Sequence, residues 1–492
     1  MRLKLLLILF TVSFFSYAQN SYAPGSFVIK GKVKNVKDFF LDFGITGYLE
    51  NSSNSIPIKK DGSFEQKFAV WKQQKMYLHL NNDAYVFTVL ENDTLTLEWD
   101  HSDLKKTFTI KGSNSLRTAN LQMQLNLQEE LLVSVRKLYE KLSDQSLKLE
   151  SKEKFRLINE LYNSNVKMVL DASLNSFSNP VNDMITGLYF QFTKILKNER
   201  LLGQFELTCM FDTRSYPFFD VSKGSCYRQL NDQWFWNVPE YRDFIYDYTR
   251  LLAPFSIYNI SGASPAWLTS AKAVSDNPTL QAYYTGQGIL YNSSMIKDWF
   301  ATKIIIDGFQ NYSFEQAERV YELYGKESST PYLREILAKY YAAVSSLKPG
   351  TPSPGFSLKD ETGNVVSLSD FKGKVVYIDF WGVTCGPCIY DIKNHVPGLH
   401  KNYENKNVVF INICVDSNER QWKQALKQYK INGINLIAEG WGKNPVCMAY
   451  NVTGIPHYVL IDKDGKMANN NAPRASELNL ESTTNEIDLL LK

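Results

Sequence analysis

Two cysteines separated by two residues, Cys385-Gly386-Pro387-Cys388, are the side chains whose type and spacing point most directly to chemistry. They follow the apolar run Val375-Val376-Tyr377-Ile378-Asp379-Phe380, which reads as a strand, and they open a segment that reads as a helix. At a helix N-terminus, unpaired N–H groups and the positive end of the macrodipole favour a thiolate, lowering a cysteine pKa from about 8.5. A second cysteine one helical turn on can attack a mixed disulfide formed by the first and release the product. A zinc site would need four ligands, usually including a second pair at similar spacing. His395 and His400 are too far along the chain to supply that pair, and Cys414 and Cys447 are isolated. An inert bridge this short closes almost no loop and so stabilises little. Redox exchange is the favoured reading, with no metal and no further cofactor.

These residues need a domain to hold them. Pro349-Gly350-Thr351-Pro352-Ser353-Pro354-Gly355 cannot continue a helix or a central strand, so residues 349–355 are predicted to be a linker and 356–492 a separate α/β domain. Upstream, Phe27, Ile29 and Val33, then Met76, Leu78 and Leu80, alternate with polar or small residues in the period of a strand. Asp61-Gly62 reads as a hairpin turn and Asn92-Asp93 as another. An antiparallel β-sandwich is expected over residues 19–113. From Ser115 the period changes: Leu121, Leu125, Leu132, Val135, Leu138 and Leu142 recur at helical spacing. Similar patterns through 152–200 and 296–345, with a capping-box start at Ser313 and Gln316, predict a mainly helical domain over 114–348. Its aromatic cluster, Trp234, Phe235, Trp236, Tyr241, Phe244, Tyr246 and Tyr248, fits a core better than a sugar-stacking surface.

The motifs of residues 350–475 resemble the TlpA-like branch of the thioredoxin superfamily, the secreted bacterial thiol–disulfide oxidoreductases. The likeness rests on Ser367-Leu368-Ser369-Asp370-Phe371-Lys372-Gly373-Lys374, on Trp381 to Cys388, and on Gly454-Ile455-Pro456 followed by Tyr458-Val459-Leu460-Ile461-Asp462. It implies a thioredoxin fold with Cys385 as attacking nucleophile, Cys388 as resolving thiol and Trp381 as a wall of the site. It also implies a cis bond at Pro456, which would let the Ile455 backbone pair with an extended substrate. Asp379 matches the buried carboxylate that takes the resolving thiol's proton in many thioredoxins, and an acid in an apolar strand is costly to bury without a purpose. Three features depart from the pattern. The helix proline usual about five residues after the second cysteine is replaced by Pro397, nine on, implying an extra turn or an altered kink. His457 stands where many relatives carry Thr, and it would tune the pair, touch substrate or simply pack. Gly382 occupies the position where a peroxiredoxin needs Thr, which argues against that relative. The N-terminal β region resembles the module that often precedes thioredoxin-like domains in secreted bacterial proteins.

Length and composition frame these readings. At 492 residues the chain has room for about three domains. With 44% apolar and 21% charged residues it is neither disordered nor a polytopic membrane protein. Residues 1–18 have the layout of a cleavable signal peptide: Arg2 and Lys4, an apolar run from Leu5 to Phe15, then Ser16-Tyr17-Ala18. The run is too short to span a bilayer. No cysteine precedes Cys209, so the lipidated residue of a bacterial lipoprotein is missing. Losing the two early cations takes the formal charge from +3 to +1, which offers no field for nucleic acid. A periplasmic location follows, with cysteine-containing exported proteins as partners and a membrane electron donor behind them. The Gly-Pro dipeptide between the cysteines resembles reducing thioredoxins, so a reductase is expected. The competing readings are an oxidase or isomerase, and a scaffold whose N-terminal modules recruit a partner for an accessory redox domain. Cys414 and Cys447 are expected to be buried and inert, while Cys209 and Cys226, seventeen residues apart, are open to bridging.

Overall fold

The computed structural model describes residues 25–36, 40–49, 52–70, 73–80, 83–172, 179–198, 232–252, 277–290, 293–441, 444–478, 480 and 485–492. The expected signal peptide and the pair Cys209 and Cys226 lie outside the described residues. Contacts divide the chain into two compact units, Met1–Phe255 with Gln287–Lys297 and Ser256–Gly286 with Asp298–Lys492.

The first unit begins with β1 (Gly25–Lys34), β2 (Phe40–Ile45), β3 (Ser52–Pro57), β4 (Ser63–Val70), β5 (Gln73–Leu80), β6 (Asp83–Leu90), β7 (Thr94–Asp100) and β8 (Thr109–Lys111). They form two four-stranded sheets, ordered β4-β1-β7-β8 and β3-β2-β5-β6. The period-two pattern buries Phe27, Ile29 and Val33 from one sheet and Met76, Leu78 and Leu80 from the other in a single core. Two expectations change here. Strand β1 pairs with β7 in parallel, so the first sheet is mixed rather than antiparallel. Asp61-Gly62 does form a tight turn, with Gly62 at φ +83° and its N–H donating to Lys59 O at 2.9 Å. It is not a hairpin, because β3 before it pairs with β2 while β4 after it pairs with β1. The turn at Asn92-Asp93 likewise passes from one sheet to the other.

Helices follow at Ser115–Ser143, Ser151–Ala172, Asn179–Asn198, Asp232–Asn237 and Pro239–Leu252. On the first of these Leu121, Leu138 and Leu142 are buried as the spacing predicts, but Leu132 is 55% exposed. The same helix covers the edge strand β6: Gln124 Oε1 accepts the Thr88 N–H at 2.9 Å, and Gln128 Oε1 accepts the Val86 N–H at 2.6 Å. Glutamines four apart lie one above the other on a helix, so they meet alternate outward N–H groups of an edge that would otherwise recruit another strand. Within the aromatic cluster Phe235, Tyr241, Phe244 and Tyr246 are buried, the core reading.

The second unit holds helices Phe314–Glu327 and Pro331–Val344 and a seven-stranded sheet. Ser313 caps the first of these helices by accepting the Gln316 N–H at 3.4 Å. The strands are β9 (Ser357–Asp360), β10 (Val365–Ser367), β11 (Val375–Trp381), β12 (Val408–Cys414), β13 (Ile434–Ile437), β14 (His457–Ile461) and β15 (Met467–Asn469), ordered β10-β9-β13-β12-β11-β14-β15. All seven residues of β11 are buried, as befits a central strand flanked by parallel β12 and antiparallel β14. The proline-rich segment 349–355 lies inside this unit and is pinned to the β14–β15 turn. Gly350 N donates to Met467 O at 2.8 Å, Met467 N to Thr351 O at 2.8 Å and Ser353 N to Gly465 O at 3.1 Å.

Candidate functional site

Strand β11 leads through Gly382-Val383-Thr384 into the helix Gly386–Asn394, and Cys385 is its N-cap. The Cys385 sulfur accepts the Cys388 N–H at 3.2 Å, so the first sulfur occupies the helix N-terminus that the sequence predicts. The two cysteines are disulfide-bonded, with Cα atoms 5.3 Å apart. Their exposures differ: Cys385 is half-buried and Cys388 is 0% exposed. The helix stops at Asn394 and restarts at Val396, with Pro397 in the first turn of the new helix Val396–Asn402. The displaced proline therefore produces a break at His395 rather than an added turn.

The loop before Cys385 is held by a residue that the sequence reading missed. Asp416, just beyond β12, accepts the Val383 N–H at 2.7 Å, the Thr384 N–H at 3.0 Å and the Thr384 hydroxyl at 2.7 Å. Gly382 is required there, since a Cβ would lie 2.4 Å from the Asp416 carboxylate and 2.6 Å from Ile455 Cδ1. The same approach brings Ile455 beside the motif, packed on the cluster that contains Trp381 and Cys388. The Ile455–Pro456 peptide bond is cis.

Residues directly opposed on paired strands share a sheet face. In the β11·β14 register Asp379 opposes Tyr458 and Phe380 opposes His457, so the two faces of β11 carry different chemistry. On the first face Asp379 is 3% exposed, and among the described residues no side chain meets either of its oxygens in close hydrogen-bond geometry. Burial, reinforced by the Asp391 charge and opposed by Arg474 and by the Tyr458 hydroxyl, pushes its pKa up to about 8. Asp391 lies three residues beyond Cys388 on the inward side of the helix and is 0% exposed. Arg474 Nε donates to its Oδ2 at 2.9 Å and the Tyr458 hydroxyl at 3.2 Å. Neither Asp391 nor Arg474 was singled out from the sequence. Inward i, i+3 spacing from Cys388 is the signal that finds Asp391.

On the second face the His457 ring lies 6.0 Å from Phe380, and its buried Nε2 has no partner. Burial lowers its pKa to about 4, so it is neutral near pH 7. Trp381 is 0% exposed and packs beneath the pair with Cys388, Cys414 and Trp422. It backs the site from inside and presents no surface to a substrate. Cys414 and Cys447 are buried free thiols, with pKa values pushed by burial to about 12 and about 11.

A half-buried sulfur at a helix N-terminus, linked to a fully buried partner and flanked by a cis-proline loop on a central sheet, defines a thioredoxin-type thiol–disulfide redox site. The Redoxin family matches residues 348–487. The thiol-disulfide oxidoreductase ResA of Bacillus cereus is 30% identical over 153 residues, which is 31% of this chain and 82% of that protein. ResA of Bacillus subtilis is 29% identical over 127 residues, 26% of this chain and 69% of that protein. Among solved structures, the thioredoxin domain of a thiol-disulfide oxidoreductase from Bacteroides vulgatus is 28% identical, covers 27% of this chain and 93% of its own, and has a TM-score of 0.24. A thiol:disulfide interchange protein from Bacteroides sp. is 32% identical, with 25% and 81% covered and a TM-score of 0.23. The chain belongs to the ResA/TlpA-like thiol–disulfide oxidoreductases, through its C-terminal region. It is a thioredoxin-like oxidoreductase.

Proposed function

We propose that the chain is exported through the signal peptide at residues 1–18 and works in the periplasm as a reductase of disulfides in other exported proteins, recharged by a membrane electron donor. The observation that carries the exchange mechanism is the asymmetry of the pair: Cys385 is reachable and Cys388 is sealed. Cys385 attacks the substrate disulfide, Cys388 resolves the mixed disulfide, and Asp379 takes the proton of Cys388. Ile455 and Pro456 line the substrate's approach, which the packing of Ile455 beside Gly382 supports. Trp381 supports the pair from below and His457 packs behind β11. The reducing direction rests on Gly386-Pro387 between the cysteines.

The domain reading belongs to the same proposal. Residues 19–113 form a sandwich of the two four-stranded sheets, 114–348 supply the helices, and the redox domain follows the segment 349–355.

Trapping tests the exchange. Cys388→Ser should accumulate mixed disulfides through Cys385, and recovering none would count against catalysis. For direction, the pair's potential in glutathione buffers is compared with insulin reduction; a value near about −120 mV without insulin reduction would overturn the reductase assignment. A second reading, recruitment of a partner by the N-terminal modules, is favoured by a cavity of about 390 Å³ in the first unit, lined among others by Lys75, Gln124, Gln128, Leu131, Met184 and Glu240. Deleting the modules and comparing kcat/KM for a folded protein disulfide with that for a small disulfide separates the two readings.

A further inference from the structure

Two buried carboxyl groups act on one another, Asp391 one helical turn after Cys388 and Asp379 on β11, and they are treated unequally. Asp391 has a cation: Arg474 donates to its Oδ2 from Nε at 2.9 Å, and its Nη2 lies 2.9 Å from the same oxygen. Among the described residues Asp379 has no cation bound to it, the Tyr458 hydroxyl being the least of the influences on it, and Asp391 Oδ1 has no partner. Burying an anion is expensive unless a cation or donors compensate it, so of two such neighbours the unpaired one keeps the proton.

Arg474 is itself held in place. The Tyr377 hydroxyl donates to Pro473 O at 2.7 Å, and Arg474 N donates to Glu477 Oε2 at 3.1 Å. From there the guanidinium also reaches Pro387 O, between the two cysteines, at 3.5 Å. The groups acting on Asp379 are therefore Asp391 from the active-site helix, Arg474 from the segment after β15, Tyr458 from β14, and Tyr377 from its own strand.

We propose that Arg474 is a positioning residue that pins the Asp391 carboxylate in an ion pair, so that Asp379 alone carries the exchangeable proton of the site. The inference rests on the dithiol exchange proposed above. In the resolving step the Cys388 thiol gives its proton to the Asp379 carboxylate, and the Cys388 sulfur bonds to the Cys385 sulfur. The bond between Cys385 and the substrate breaks, and the substrate sulfur leaves with the electron pair as a thiolate. The substrate disulfide is reduced and the Cys385–Cys388 pair oxidised. Without Arg474 the cation that offsets the Asp391 charge is gone, and Asp379 would hold its proton to higher pH.

The test uses the full chain labelled with ¹³C-carboxyl aspartate, following the Asp379 titration by NMR together with the pH profile of kcat/KM for insulin reduction by dithiothreitol. In Arg474→Gln the Asp379 midpoint should rise by about one pH unit, and kcat/KM at pH 7 should fall about 10-fold, since one unit changes the ionised fraction tenfold. Arg474→Lys should recover most of both. In an Asp391→Asn background Arg474→Gln should change kcat/KM clearly less than the 10-fold seen with Asp391 present, because the anion it pins is gone and only its direct attraction to Asp379 remains. An unchanged Asp379 midpoint in Arg474→Gln overturns the proposal, as does a shift that persists undiminished with Asp391→Asn. Should Arg474→Gln fail to fold, Asp391→Asn alone decides: Asp379 must titrate at lower pH than in wild type. Failure of the wild-type chain to reduce insulin would instead strike the proposed function, while the NMR titration would still report on the pinning.

Discussion

Each unit pairs an arginine with a buried aspartate, and the two pairs are completed differently. In the first unit Arg117 Nε donates to Asp93 Oδ2 at 2.7 Å, while Asp93 Oδ1 accepts the Thr94 N–H at 2.9 Å and the Ser113 N–H at 3.3 Å. Both oxygens are used, and the pair ties the start of helix Ser115–Ser143 to the β6–β7 turn. In the second unit Arg474 satisfies one oxygen of Asp391, while among the described residues the other has no partner and Asp379 has no cation bound to it. A closed pair is a fastening. Bare buried carboxyl oxygens beside a redox-active cysteine pair are costly to the fold, and such perturbed groups gather where a proton must move.

The largest expected effect breaks the closed pair. Arg117→Met leaves Asp93 buried and uncompensated and should cost about 3–5 kcal/mol by urea unfolding. The potential of the cysteine pair should stay unchanged.

The open pair should respond in the opposite sense. The folded pKa of Asp379, about 8, lies above the ordinary unfolded carboxyl value, so the folded state binds the extra proton. Its favourable contribution is fully present below about pH 4 and is lost as pH rises to about 8. Asp379→Asn should therefore flatten that slope and raise stability near pH 8, read by urea unfolding at pH 5 and pH 8. The resolving step should slow at the same time, which a structural role for the carboxyl would not produce. A stability loss at pH 8 would refute the open-pair description.

A smaller effect belongs to Asp416, a carboxylate near the site that is fully satisfied. Asp416→Ala should cost about 1–2 kcal/mol and speed hydrogen exchange at the Val383 and Thr384 amides. Smallest of all is His457→Phe. With a pKa near 4 the histidine carries no charge above pH 5, so the reduction potential should follow the wild-type pH dependence from pH 5 to 8. A divergence within that range would show that the second face of β11 takes part in the chemistry.

Much of the site was legible because it is local. The Ile455-Pro456 loop was marked by the family resemblance, while Cys385 at the mouth of a helix and an acid in the middle of an apolar strand are each written within a few residues. The same holds for the alternation of Phe27, Ile29 and Val33 and for the turn at Asp61-Gly62. What those elements pair with is not local. Nothing in the turn reveals that β3 goes to one sheet and β4 to the other, or that β1 and β7 run parallel. Leu132 keeps the helical period yet points to solvent, because periodicity names a face but not the neighbour that must cover it.

The sequence by itself therefore picked out the cysteine pair, its place at the start of a helix and the family to which the C-terminal region belongs. Only the tertiary structure decided which carboxylate meets which cation. Arg474 lies 83 residues from Asp391, and Asp416 lies 32 residues from Thr384. Such pairs are set by the packing of helix and strands around β11, since a buried charge is stable only where the fold brings its partner to it.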